Sequence, residues 1–196
     1  MVHVRLEELE KYALSNNIPI MQKDGIDFLT NYIKENNIKK ILEIGSAIGY
    51  SAIKMALVSP DIVVTTVERD EERYNLALEN INSFNLESNI NIIFDDALNI
   101  NLIEDYDLIF IDAAKSQYIR FFEKFESNLK KGGVIVTDNL SFHGLVEDES
   151  KIKNRNTKQL VHKIQNYIEY LKNNEDYKTV FYKIGDGISV SKKMID

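Results

Sequence analysis

The sequence predicts an α/β fold in which helices cover both faces of a mostly parallel, seven-stranded sheet. Three observations lead to this prediction. Short apolar segments alternate with segments of helical periodicity along the chain. The central strand segments are apolar throughout, which is typical of parallel strands that are buried on both faces. Near the C-terminus, the sequence GDG separates two β-type segments and predicts an antiparallel hairpin at the edge of the sheet.

The N-terminal third is predicted to hold three helices and two strands. Helices over about Val4–Ser15 and Lys23–Glu35 form a helical cap within residues 1–37. The compact apolar segment Lys39–Ile44 predicts the first strand, and the helix after it extends over about Tyr50–Val58. The β-branched segment Ile62–Glu68, which ends in an acid, predicts the second strand.

The middle of the chain continues the alternation. Apolar side chains recur at helical spacing in Glu71–Phe84, so a helix is predicted there. Strands are predicted over Asn91–Phe94, Asp107–Ile111 and Val134–Thr137. Between the last two, a helix over Gln117–Leu129 is predicted to stop at the glycine pair of the sequence KKGG.

The C-terminal quarter is predicted to contain one more helix and the hairpin. The helix has apolar residues on one face between positions 160 and 171. The hairpin strands are Lys178–Ile184 and Ile188–Lys192, on either side of the GDG turn.

Composition excludes several classes of protein. The formal net charge is -7, so no global basic field attracts nucleic acid, and no DNA partner is expected. The chain has no cysteine, which excludes disulfides, thiolate metal sites and cysteine nucleophiles. No apolar stretch approaches the ~20 residues of a membrane span, and the N-terminus lacks the apolar segment of a signal peptide. The sequence therefore predicts a single cytoplasmic domain over residues 1–196 with no membrane partner.

The segment LEIGSAIGYS, residues 42–51, forms the turn after the first strand, where ligands bind in doubly wound sheets. Dinucleotide folds place G-x-G-x-x-G here, but Ala47 replaces the middle glycine, so the loop is poorly suited to pyrophosphate. Gly45 and Gly49 still allow a tight turn and close approach of a ligand without phosphate. Glu68 ends the second strand, where an acid hydrogen-bonds the hydroxyls of an adenosine ribose. Together these features suggest a loop that binds S-adenosylmethionine. The alternatives are a turn that only starts a helix and the cofactor loop of a dehydrogenase.

Polar side chains also follow the fourth and fifth predicted strands. Asp112 and Lys115 follow the segment DLIFI, and Asp138 and Asn139 follow VIVT. Because the carboxyl ends of adjacent parallel strands meet at one edge of a sheet, these groups are expected to converge. Two carboxylates and an amide oxygen suit Mg²⁺. Lys115 is either a general base or a counter-ion, and the two acids are either metal ligands or caps of the following helices.

The motifs LEIGSAIGYS, TTVERD, FDDAL, FIDAAK and VTDN together resemble those of the metal-dependent, catechol-type class I O-methyltransferases, over about Met21 to Asn139. Within that family, the sequence looks most like the bacterial branch that methylates 5-hydroxyuridine at the wobble position of tRNA. The resemblance implies a Rossmann-like class I methyltransferase fold, a homodimer, and S-adenosylmethionine and Mg²⁺ as cofactors. Animal catechol enzymes wall the ring pocket with tryptophan, which this chain lacks.

The resemblance also implies roles for individual residues. Asp112, Asp138 and Asn139 would bind the metal, and Lys115, together with Asp112, would be catalytic. The residues implied to bind S-adenosylmethionine are Met21, Glu43, Gly45, Ser51, Glu68, Asp96, Ala97 and Asp112. The segment after the metal motif offers further substrate contacts, and its basic side chains could bind phosphates of the tRNA anticodon loop. These candidate substrate residues, which the sequence itself suggests, are His143, Lys153, Arg155 and Lys158. The alternative for the three basic residues is a solvated loop, and the alternative for His143 is an incidental loop position.

Two other functions remain open at this point. The first is methylation of small catechol-like phenols, which the overall acidic charge favours. The second is a non-catalytic RNA-binding module that kept a methyltransferase fold. The intact set of Asp112, Lys115, Asp138 and Asn139 argues against this second function.

Overall fold

The computed structural model describes residues 2–195, which form one seven-stranded sheet between helices. Across the sheet the strand order is β3-β2-β1-β4-β5-β7-β6. The first five strands are parallel, and β7 is antiparallel to both β5 and β6. The predicted fold class is therefore confirmed. The strands in chain order are β1 (Lys40–Ile44), β2 (Val63–Glu68), β3 (Ile90–Phe94), β4 (Tyr106–Ile111), β5 (Leu129–Thr137), β6 (Tyr177–Tyr182) and β7 (Ile188–Lys193).

Helices precede, connect and follow these strands. Single 3-10 turns lie at Lys115–Gln117, Glu126–Asn128 and Glu149–Lys151. No helix within residues 2–195 is long and apolar enough to cross a membrane. The α-helices are α1 (Val2–Ser15), α2 (Lys23–Glu35), α3 (Tyr50–Ala56), α4 (Glu71–Ser83), α5 (Tyr118–Phe125) and α6 (Arg155–Asn173).

Helices on both faces explain why the central strands are apolar throughout. Along β4, Leu108 and Phe110 pack into one core cluster, and Ile109 and Ile111 pack into the other. The first cluster includes side chains from α1 to α4, and the second includes side chains from α5 and α6. All four β4 side chains are completely buried, as expected for a strand with no solvent-facing side.

The predicted end of the helix over Gln117–Leu129 is wrong. Helix α5 ends at Phe125, and β5 already begins at Leu129, so the glycine pair lies inside the strand. The pairing of β5 with β4 shifts register at this point. Gly132 has a φ of +72°, and a Cβ at Gly133 would lie 3.0 Å from a backbone oxygen of β4. The glycines therefore permit an irregularity in the strand rather than end a helix.

The topology gathers several loops at one edge of the sheet. Strand β1 lies between β2 and β4, so the chain runs outward from β1 in two directions and the strand order reverses there. The carboxyl ends of β1, β2, β4 and β5 open to the same edge, where a crevice forms. Because Ser189 of β7 pairs with Thr137 at the end of β5, the β6–β7 turn reaches this edge as well.

Candidate active site

A cavity of about 510 Å³ lies at this edge of the sheet, a size typical of small-molecule sites. Glu43 is the one predicted cofactor residue that is not among its lining residues, and it is fully buried. Lys115, Asn139, His143 and Asp186 also line the cavity. The predicted cofactor residues that do line it are Met21, Gly45, Ser51, Glu68, Asp96, Ala97 and Asp112.

The turn between β1 and α3 approaches the end of β4 so closely that it requires glycine. Gly45 has a φ of +98°, and a Cβ at this position would collide with the backbone carbonyl of Asp112. The Asp112 N–H in turn donates a 3.0 Å hydrogen bond to the carbonyl of Ile44. Gly45 thus allows the loop after β1 and the loop after β4 to touch, a requirement that the glycine pattern alone did not reveal.

Glu43 belongs to a buried network that supports the first turn of α3. Its carboxylate accepts hydrogen bonds from the hydroxyls of Ser51 and Thr66, the latter at 2.5 Å. Burial, opposed by these hydrogen bonds and aided by the charges of Asp112 and Glu68, raises the pKa of Glu43 to about 7. Within residues 2–195, Glu43 therefore holds the Ser51 side chain and does not itself reach the cavity.

Glu68 is held at the end of β2 by backbone N–H groups. Its Oε2 accepts from the N–H of Ala47 at 2.8 Å, and its Oε1 accepts from the N–H groups of Arg69 and Asp70, both at 2.9 Å. An ionised carboxylate has about four lone-pair positions, so Glu68 can still accept a hydrogen bond from a ligand. The bond from Ala47 also fixes the glycine loop against the end of β2.

Asp112 and Asp138 follow β4 and β5, where Ile111 pairs with Thr137. Asp138 is only 1% exposed. Burial raises the pKa of both carboxyl groups, the charge of Asp186 raises it further, and the Lys115 ammonium opposes the rise. Carboxyl groups that resist ionisation in this way are stabilised as carboxylates by a nearby cation.

The oxygen atoms at this point fit a hard divalent cation. Asp138 Oδ1 is buried and has no hydrogen-bond partner within residues 2–195. Asp138 Oδ2 accepts a 3.1 Å hydrogen bond from Nδ2 of Asn139, while Oδ1 of Asn139 accepts a 2.6 Å hydrogen bond from Lys115 Nζ. In the described chain, no three acidic or imidazole side chains are grouped closely enough to hold a metal. A cation would thus need the amide oxygen of Asn139 beside the two acids, and Lys115 would release that oxygen.

Asp186 is a residue of this site that the sequence analysis missed, because the GDG sequence was interpreted only as a turn. It is 3% exposed and lines the cavity. Its Oδ1 accepts a 2.6 Å hydrogen bond from the N–H of His143. The signal that could have found it is topological, since a turn before a strand antiparallel to β5 must lie beside the residues that end β5.

The four predicted substrate residues separate into two groups. His143 lines the cavity, and its Nδ1 lies 3.6 Å from Asp186 Oδ1. Lys153, Arg155 and Lys158 are exposed and do not line the cavity. Arg155 is the first residue of α6, so the three basic side chains mark the start of that helix.

Comparison with known proteins agrees with this arrangement. Residues 2–194 match the model of the O-methyltransferase family. The caffeoyl-CoA O-methyltransferase of Populus kitakamiensis is 30% identical over 206 residues, which cover 98% of this chain and 87% of that protein. The tapetum-specific methyltransferase 1 of Arabidopsis thaliana is 30% identical over 200 residues, which cover 98% of this chain and 85% of that protein.

Solved structures show the same similarity. A Staphylococcus aureus protein, provisionally named a caffeoyl-CoA O-methyltransferase, is 42% identical with a TM-score of 0.91, and the match covers 96% of this chain and 91% of that one. The O-methyltransferase from Bacillus cereus, solved with S-adenosylhomocysteine, is 26% identical with a TM-score of 0.82 over 97% of this chain and 90% of that one. The alternatives of a dehydrogenase and of a non-catalytic RNA-binding module are set aside. The chain belongs to the O-methyltransferase family and is an S-adenosylmethionine-dependent O-methyltransferase.

Proposed function

We propose that this enzyme methylates 5-hydroxyuridine at the wobble position of tRNA, with Mg²⁺ or another divalent cation as a second cofactor. The observation that carries the metal dependence is the meeting of Asp112, Asp138, Asn139 and Lys115 beside a cavity that also holds the predicted cofactor residues. A 5-hydroxyuracil ring presents its 5-hydroxyl and 4-carbonyl as adjacent oxygens. Two adjacent oxygens can chelate one metal ion, so this ring suits the donor set.

Each residue of the site has a place in this reaction. When bound, S-adenosylmethionine supplies an electrophilic methyl group and Mg²⁺ lowers the pKa of the acceptor hydroxyl. Asp112, Asp138 and Asn139 would hold the cation, and Glu68 would accept hydrogen bonds from the ribose hydroxyls. Lys115, in its neutral form, would take the proton of the acceptor hydroxyl at Nζ. The methyl group would pass from the sulfonium sulfur to that oxygen as the C–S bond breaks, which leaves S-adenosylhomocysteine. The walls of the cavity align acceptor and donor, which supplies much of the acceleration.

Replacing Glu68 with alanine should weaken S-adenosylmethionine binding by roughly 10- to 100-fold, because a hydrogen bond to a charged group is worth roughly 1.5–3 kcal/mol. Isothermal titration calorimetry on the wild type and the variant measures the change. Glu71, which is exposed in the first turn of α4, offers a matched control, and Glu71→Ala should bind as the wild type does. Equal affinities for Glu68→Ala and wild type, or tighter binding of NAD than of S-adenosylmethionine, would contradict the assigned role.

Exposed basic side chains support tRNA as the acceptor. Lys153, Arg155 and Lys158 are exposed and form none of the ion pairs described within residues 2–195, so phosphates can reach them. Reversing all three to glutamate should strongly lower tRNA methylation. The salt dependence should also flatten, by roughly one unit of slope for each lost phosphate contact. Initial rates measured from low to high salt test both effects.

A control for net charge is available on the same chain. Reversing Lys11, Lys34 and Lys178, which are exposed on other elements, changes the charge equally and should leave tRNA methylation near the wild-type rate. If both triple variants lose activity alike, the effect is global charge and not a phosphate-binding surface.

A small catechol-type phenol is the second candidate acceptor. The names of the relatives, which include caffeoyl-CoA O-methyltransferases, and the net charge of -7 favour it. Labelled S-adenosylmethionine should be supplied with tRNA that contains 5-hydroxyuridine, and separately with a panel of catechols. Label in 5-methoxyuridine supports tRNA. Efficient labelling of catechols with none in tRNA assigns the enzyme to small phenols.

A further inference from the structure

The turn between β6 and β7 holds the loop that follows β5, residues 139–146. The N–H of Leu140 donates to the carbonyl of Gly187 at 3.0 Å, and the N–H of Ser141 donates to the carbonyl of Asp186 at 2.7 Å. The third bond is different, because the N–H of His143 donates to the side chain of Asp186, at 2.6 Å from Oδ1. Three hydrogen bonds therefore join the turn to loop 139–146, two of them to main-chain carbonyls and one to a carboxylate.

Loop 139–146 has a backbone that needs such support. Asn139, Phe142 and His143 have φ values of 62°, 48° and 58°, in the left-handed region that residues with a Cβ adopt at a cost. Several residues of this kind persist in one loop only when surrounding contacts determine their conformation. The hydrogen bond from the N–H of His143 acts directly on one of the three.

The same loop carries groups of the proposed reaction. Asn139 accepts the hydrogen bond from Lys115 Nζ, and that nitrogen lies 5.7 Å from the centre of the Phe142 ring. His143 follows and lines the cavity. A shift of loop 139–146 would therefore move Asn139 Oδ1, the amide oxygen proposed to bind the cation. It would also move the Phe142 ring beside Lys115.

A buried aspartate at position 186 carries a free-energy cost. Its side chain is 4% exposed, and within residues 2–195 its Oδ2 has no hydrogen-bond partner. Its charge also opposes ionisation of Asp112 and Asp138. Burial of a carboxylate with one oxygen unsatisfied costs free energy. The hydrogen bond that its other oxygen accepts from His143 is the contact from which we infer a function for Asp186.

We propose that Asp186 is a positioning residue, whose Oδ1 fixes the backbone of loop 139–146 and thereby the places of Asn139, Phe142 and His143 in the active cavity. The role of these groups in methyl transfer rests on the proposed function. The hydrogen bond from the His143 N–H to Asp186 Oδ1 does not depend on the proposed function, and it can be tested without any acceptor or metal.

Two substitutions separate the hydrogen bond from the charge. Asp186→Asn keeps a side-chain oxygen that can accept from His143, whereas Asp186→Ala removes it. Amide hydrogen exchange in the metal-free protein, followed by NMR, reports on the bond. In Asp186→Ala the His143 amide should exchange about tenfold faster, the effect of losing one hydrogen bond to a charged acceptor. It should keep most of its protection in Asp186→Asn. The Asp112 amide, which donates to the carbonyl of Ile44 outside loop 139–146, is an internal control.

Kinetics give a second measurement. Asp186→Ala should raise the KM for the acceptor at least about tenfold and lower kcat less. Asp186→Asn should restore most of the loss. Asp176, an exposed acid, provides the control variant Asp176→Ala. Should Asp186→Ala not fold, Asp186→Leu, which is similar in size and has no side-chain acceptor, replaces it.

Unchanged exchange of the His143 amide in Asp186→Ala would overturn the proposal, as would equal exchange in the Asn and Ala variants. Either result leaves the assignment of the acceptor untouched. Conversely, failure of the wild type to methylate any vicinal-oxygen acceptor would overturn the proposed function, while the exchange data would still decide the role of Asp186.

Discussion

Asp138→Asn should lower methyl transfer by about 100-fold or more at a fixed, low concentration of Mg²⁺. Loss of a supporting contact around a metal commonly costs about 10- to 100-fold, and Asp138 would contribute one of only two charged ligands. Asparagine keeps the size and an oxygen but removes the charge, so the loss should shrink as Mg²⁺ is raised. Initial rates over a range of Mg²⁺ concentrations, together with calorimetric metal binding, measure both effects.

The stability of the metal-free protein separates this effect from misfolding. Folding raises the pKa of Asp138, because burial disfavours its charged form and the charge of Asp112 adds to this. Its ionised form therefore destabilises the fold above the unfolded-state pKa of about 4, and the penalty is absent at lower pH where both states are protonated. Asp138→Asn should thus have a Tm at least equal to that of the wild type near neutral pH, despite its lower activity.

Two outcomes would contradict the metal mechanism. The first is full activity of the wild type in EDTA. The second is an Asp138→Asn enzyme that needs no more Mg²⁺ than the wild type. Asp61, an exposed acid paired with Lys39, gives the control Asp61→Ala, which should show the wild-type metal requirement.

Lys115→Ala should lower kcat by roughly 10²–10⁴-fold, the usual contribution of a general base, while S-adenosylmethionine affinity stays unchanged. The Lys115 Nζ lies 2.6 Å from Asn139 Oδ1, and both residues line the cavity. Single-turnover rates with saturating cofactor isolate the chemical step. Lys124, a half-buried cation on α5 that does not line the cavity, supplies the control Lys124→Ala.

Lys115→Arg distinguishes a base from a counter-ion. Arginine keeps the positive charge among the acids but is never deprotonated in proteins, so it cannot accept a proton. If Lys115 is the base, the arginine variant should be nearly as slow as the alanine variant. Substantial activity of Lys115→Arg would assign Lys115 the role of counter-ion instead.

Lys115→Ala should also tighten metal binding in the absence of substrate. The ammonium of Lys115 takes the amide oxygen of Asn139 that a cation would need, and it adds positive charge beside Asp112 and Asp138. Removing it removes a competitor. Calorimetry with Mg²⁺ measures this without any turnover, and unchanged metal affinity would show that Lys115 and the cation do not share the site.

The sequence predicted those parts of the site that depend on neighbouring strands. Asp112, Asp138 and Asn139 could be placed together because each follows an apolar strand, and the ends of adjacent parallel strands always meet. Glu68 could be placed for the same reason. These predictions need only the order of local elements and no knowledge of side-chain packing.

The parts that were missed depend on contacts between distant segments. Asp186 reaches the site only because β7 returns antiparallel beside β5, and a GDG turn looks the same wherever its hairpin docks. The requirement for Gly45 comes from the approach of Asp112, far along the chain. The pair Gly132 and Gly133 resembles a helix stop locally, and only the register shift against β4 shows that it lies in a strand.

The position of β7 between β5 and β6 has a consequence for how the protein is made. Until the last part of the chain leaves the ribosome, β5 has no neighbour on one side and presents an open, apolar strand edge. Such edges pair readily with other chains, and non-local strand pairing is slow to form. In a chain that folds before β7 emerges, the edge that later completes the active site would therefore be open to pairing with other chains. Chain termination before β7 would leave the protein in that state permanently.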